Sequence, residues 1–272
     1  MRKDAASTYH LMRHSGHKNI YCRTWRDVNV IQMPARKRDP EKEETYKAED
    51  FGDLILTDHI TIKKEKERGQ DGEMNGLGIY DKATDYYDFF SVEDKSAEQA
   101  ELRMKEFAGN DDLHWIFSDN SWELKKLAED FDAHHPTSTP YRAQNNAKIE
   151  NMNDDCNIGI RANLYQSGLP HSWWPDAGRH YSVARNTDQS VGKGELSPWE
   201  MRHHETFWGY HIPFGAYIRY RPTKPNREKL SRYEPRSVAG LFVNWFIQPE
   251  VSFLAITECR HWRTSRNIRE DR

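Results

Sequence analysis

The sequence predicts an α/β fold, with a mixed five-stranded sheet and flanking helices followed by a small antiparallel β domain. Three observations carry this expectation. Apolar, β-branched runs alternate with amphipathic segments of helical period between residues 51 and 185. Three strand-like runs come first, and single ones then alternate with helices, as in a mixed sheet with helices on its faces. From residue 205 to 272 the texture changes to strands and polar loops alone.

The elements follow in order. Residues 1–50 form a polar arm in which His10 and His14 share a helix face and Cys22 follows after a short turn. Zinc takes about four soft or borderline ligands, and Trp25 stands where a fourth is needed, so a full Zn2+ site is not expected. Arg36, Lys37 and Arg38 precede the acidic PEKEE, a mixed-charge run typical of a solvated linker.

FGDLILTDHITI is the first strong strand, with Asp58 inside it, and a charged loop broken by Gly69, Gly72 and Gly76 follows. LGIYD and TDYYDFFSV are the next two strands. Ser96 opens a helix whose apolar positions are Ala97, Leu102, Met104 and Phe107. LHWIFSD is a fourth strand that ends at Asp119, and WELKKLAEDF is an amphipathic helix. AHHPTST is a fifth strand or extended segment, where His134 and His135 point opposite ways and read as surface histidines. A long helix over 145–164 has Ile149, Met152, Cys156, Ile160 and Leu164 on one face. The next, opened by Pro170, packs through Trp173, Trp174, Ala177 and Tyr181. The expected organisation is an arm over 1–50, a core over 51–185, a linker over 186–204 and a barrel-like β domain over 205–272.

The 272 residues suffice for one large domain or two smaller ones. With 40 basic and 43 acidic residues the net charge is −3, so the molecule as a whole offers no attractive field to nucleic acid, and binding it requires a local basic surface. A mean hydropathy of −1.00 points to large solvated or partner-covered surfaces. No window approaches the length of a membrane span, the start lacks the apolar core of a secretory signal, and an intracellular protein is expected. Three scattered cysteines do not make a disulfide scaffold.

Three acids stand out by position. Asp58 and Asp119 sit where apolar runs stop, and Glu150 lies just inside a helix. Carboxylates at strand ends and on a neighbouring helix can meet at a sheet edge and hold divalent cations. The bland alternative is that they are caps or salt-bridge partners.

The ordered set SDN, STPYRAQNN, LPHSWW, SPWEMRH, IPFGA and SVAGLFVNW resembles the integrase of copia-type LTR retrotransposons. The resemblance runs from about residue 10 to the end and is strongest over 113–176 and 196–246. It implies a ribonuclease-H-like core in which Asp58, Asp119 and Glu150 hold Mg2+ or Mn2+ ions. Water would attack a phosphodiester in end processing, and the freed 3′ hydroxyl would attack target DNA in strand transfer. It further implies DNA contacts by Arg142, Gln144, Asn145, Asn146 and Lys148, a homo-oligomer, and a zinc motif of which His10, His14 and Cys22 remain. Departures from the pattern are Trp25, Ala147 in place of a glycine, and Asn151 in place of an arginine, with Asp154 and Asp155 following. These leave three readings open: an active integrase in the nucleus; a domesticated, non-catalytic scaffold; and a nuclease of the same fold without strand joining. The scaffold would sit among RNA or protein subunits of a large complex such as a mitochondrial ribosome, another organellar assembly or a membrane assembly.

Overall fold

The computed structural model of the chain describes residues 48–62, 64–118, 122–134, 142–192, 194–221, 232–233, 235–246 and 252–256, with only the backbone course for 66, 122–123, 142–146, 246 and 252–256. The elements are β1 (Leu54–Thr61), β2 (Asn75–Asp81), β3 (Tyr87–Val92), α1 (Ala97–Ala108), β4 (Trp115–Phe117), α2 (Trp122–Asp130), α3 (Arg142–Ser167), α4 (Trp174–Asn186), α5 (Pro198–His203), β5 (Tyr217–Tyr220), β6 (Val238–Phe246) and β7 (Ser252–Ile256).

Strands β1–β4 form a mixed sheet in the order β3-β2-β1-β4. Neighbours β1 and β2, and β2 and β3, are antiparallel, as hairpin connections allow. A parallel partner needs a crossover, and α1 carries the chain from β3 at one edge to β4 at the other, parallel to β1. Of the expected fifth strand, His134 makes one parallel bridge to Trp115, with Ile116 N–H donating to the His134 carbonyl at 3.1 Å. The rest of AHHPTST lies outside the described residues.

Both faces of the sheet are covered, which is why β2 is buried along its whole length. Alternation along β1 sends Leu54 and Leu56 to one face, with Tyr80, Phe117, Ile149, Met152 and Tyr181. Ile55 goes to the other, with Leu77, Ile79, Met104, Ile116 and Leu124. Helices α1 and α2 thus cover one side, and α3 and α4 the other. On α1 the buried stripe is Ala97, Ala100, Met104, Phe107 and Ala108, and Ser96 caps the helix by accepting from Gln99 N–H. Leu102, expected on that stripe, lies a half-turn away and is exposed.

The five apolar positions expected on α3 are all buried, as are the four expected on the following segment. Close approach of α3 and α4 occurs at Gly159, where a Cβ would lie 2.1 Å from the Tyr181 ring. At the end of α4, the Asn186 side chain accepts from Tyr87 N–H at 3.0 Å and donates to the Tyr87 carbonyl at 2.7 Å. One buried amide thereby satisfies the start of an edge strand, as a neighbouring strand would.

Residues 187–192 and 194–221 continue along the same core, to which Trp199, Phe207 and Phe214 belong. The helix α5 has a capping box between Ser197 and Glu200. From it the Arg202 guanidinium stacks over Phe51 at 4.0 Å and Tyr86 at 4.5 Å. Strands β5, β6 and β7 form an antiparallel three-stranded sheet in that order. Phe242 and Trp245 of β6 belong to one of the two apolar cores, and Val243 to the other.

Where α4 meets β6, His180 is fully buried, stacked on Trp245 at 4.8 Å and met edge-on by Phe214 and Phe242. Its Nε2 lies 3.0 Å from the Ile212 carbonyl, and Asn163 Nδ2 is 3.4 Å from Nδ1, an arrangement that suits the neutral ring. Burial pushes its pKa down to about 4. An unfolded chain takes up this proton near pH 6.5 and the folded one resists, so stability falls as pH drops from above 6.5 toward 4. The slope is about 1.4 kcal/mol per pH unit for each such proton. Burial lowers His203 and His211 in the same direction. Urea unfolding at about pH 7.5 and about pH 5 should show the loss, and His180→Phe should lessen the difference without abolishing it. An unchanged difference would contradict this account.

Candidate functional site

Asp58 follows Leu54 and Leu56 on the face of β1 that α3 covers, and it is half-buried. Its Oδ1 accepts from His59 N–H at 2.9 Å, and its Oδ2 accepts from the Asn153 side-chain amide at 3.3 Å. Asn153 is itself buried on α3 and accepts from the Tyr87 hydroxyl of β3 at 3.1 Å through Oδ1. Room for this arrangement comes from β2. Gly78 is the register partner of Asp58, and a Cβ there would lie 2.1 Å from Asn153 Oδ1 and 3.0 Å from the Tyr87 hydroxyl oxygen.

Glu150 stands one helical turn before Asn153, exposed beside the buried Ile149. Asp154, one turn further on, is exposed too, and Asp155 is half-buried. Lys148 is half-buried, with Nζ 3.9 Å from Asp85 and 4.9 Å from the centre of the Tyr80 ring. The Tyr80 hydroxyl donates to the same Asp85 carboxylate. Arg142, Gln144, Asn145 and Asn146 belong to the first turns of α3, for which the backbone alone is described. Asp119, His10, His14 and Cys22 lie outside the described residues. Among the described residues, no three His, Cys, Asp or Glu side chains come together as a metal-binding group.

Asn153, Tyr87 and Gly78 are site residues that sequence reasoning passed over. A signal for the first existed: Asn153 falls between Ile149 and Cys156 on the stripe that reaches the sheet. A polar residue at a buried stripe position needs a partner, and here it has two.

No family model and no curated protein matches the sequence. Among solved structures, the chain is similar to the crystal structure of the catalytic core domain of BIV integrase, at 16% identity. The likeness covers 56% of this chain and 95% of that one, with a TM-score of 0.42. It is a distant structural match to a retroviral integrase core.

Gly78→Ala should destabilise the protein by about 1–3 kcal/mol, because the new methyl must push the Asn153 amide off both partners. Chemical denaturation measures this, and a variant as stable as the parent would show that the notch is not tight.

Proposed function

We propose that the chain is a nucleic-acid phosphoryl-transfer protein of the integrase type, with Asp58, Asp119 and Glu150 as the carboxylates that hold Mg2+ or Mn2+. The observation that carries this is the Asn153–Asp58 hydrogen bond, which lashes the helix bearing Glu150 to the strand bearing Asp58. A second support is that β4, parallel to β1 with Leu56 opposite Phe117, leads the chain toward Asp119 beside the strand that bears Asp58.

Three carboxylates are a hard oxygen donor set, which fits a hard divalent cation and not zinc. When bound, such cations supply electrostatic stabilisation of the charge that develops on phosphoryl oxygens. The chain's own residues orient the acids and receive the nucleic acid. The first turn of α3 carries no acidic residue, which leaves the positive end of the helix dipole uncompensated by side-chain charge and suits a phosphate backbone. Arg142, Gln144, Asn145, Asn146 and Lys148 are the contacts we assign there. This reading has the chain acting on DNA in the nucleus as a homo-oligomer.

One observation favours a second reading. Glu150 and Asp154 are exposed one turn apart on α3, and Asp155 adds charge beside them, which repels a phosphate backbone. A non-catalytic scaffold among RNA or protein subunits, in a mitochondrion or another organelle, would tolerate that.

A manganese-dependent strand-transfer assay on DNA ends separates the two. The first reading expects joined product from the parent chain and a loss of about a hundredfold or more in Asp119→Asn. No product from the parent under permissive conditions favours the scaffold.

A further inference from the structure

The buried polar side chains behind Asp58 form a directional series of donors. An ionised carboxylate only accepts, so the Asn153 amide must turn its NH2 toward Asp58 and its carbonyl inward. That carbonyl needs a donor, which the wholly buried Tyr87 hydroxyl supplies at 3.1 Å. The hydroxyl has a single proton, and giving it to the amide carbonyl fixes the amide with its NH2 toward the acid. Proton by proton, the series has one consistent direction, from the interior to the carboxylate.

We infer that Asn153 is a positioning residue for Asp58, oriented by Tyr87 through the notch at Gly78, and that it presents the carboxylate to a divalent cation. The cation half of this inference rests on the function proposed above, whereas the orientation of Asp58 does not. A buried amide that served packing alone would be satisfied as well by backbone groups, yet this one spans from the interior to a half-exposed acid. It also sits one turn from Glu150, so the same contact sets the spacing between the helix acid and the strand acid. Gly78 makes this possible, since any side chain opposite Asp58 would occupy the space of the amide oxygen. Outer groups that orient ligating carboxylates alter metal affinity without touching the metal.

The test uses the full chain and Mn2+ alone. Asn153→Leu keeps volume and removes both hydrogen bonds, and Tyr87→Phe removes only the hydroxyl. By titration calorimetry, Asn153→Leu should weaken Mn2+ about tenfold. Tyr87→Phe should weaken it about threefold. Asp58→Ala should abolish binding. By NMR, a proton of the Asn153 side-chain amide should sit downfield in the parent and move upfield in both Asp58→Ala and Tyr87→Phe. Parental Mn2+ affinity in the two relay variants, with only thermal stability lowered, would reduce Asn153 to a packing residue and overturn the inference. Should Asn153→Leu fail to fold, Tyr87→Phe decides. If the parent binds no Mn2+, the proposed function falls. The orientation of Asp58 is then judged by the amide proton, whose failure to move would overturn it.

Discussion

The structure depends on how closely α3 lies over β1 and β2. At Gly78 the absence of a side chain lets a helix amide descend to the level of the strand and reach the acid beside it. A helix packed on an ordinary strand stands off by the depth of the intervening side chains. Here the gap closes at one point, and on either side Ile149, Met152, Cys156 and Ile160 fill it with apolar volume. The cost of burying an amide and a hydroxyl is offset because each finds a partner. Helix axis, strand register and acid orientation are therefore set by the same few atoms.

Around that contact, α4 ties the layers together. It meets α3 at Gly159, satisfies β3 through Asn186, and holds the C-terminal sheet through the rings around His180. The buried imidazole is compatible with this packing only while neutral, so the junction between α4 and β6 is one acid-sensitive part of the molecule. Arg202 performs a related packing task elsewhere, with its guanidinium stacked on Phe51 and Tyr86.

Much of this was legible in the sequence, and the limits have physical causes. The α3 stripe and the Trp173, Trp174, Ala177 and Tyr181 positions follow from helical period, which is a local property. Leu102 was misplaced because a leucine counts as apolar wherever it falls, whereas burial follows the angle from Ala100 and Met104. The fifth strand was expected from an extended-looking segment, and a single bridge at His134 is what the described residues contain. Gly78 reads as an unremarkable glycine in LGIYD, because its meaning lies in the register with Asp58 and in what α3 places above it. Asn153 stands beside the acids Asp154 and Asp155 in NDDCN, and only its stripe position separates it from its exposed neighbour Asp154. That Asp58 lies on a strand and Glu150 on a helix follows from local pattern, whereas the amide that hydrogen-bonds Asp58 does not, since that is a contact between residues far apart in the chain.

The central claim is that the contact between α3 and β1 frames a site for a divalent cation. Paramagnetic broadening on adding Mn2+ to the isotopically labelled chain tests it most directly. The account predicts that the Asn153 side-chain amide and the His59 and Gly78 backbone amides broaden first, and that Asp58→Asn restores them. Broadening that begins elsewhere, or that survives Asp58→Asn unchanged, would contradict it.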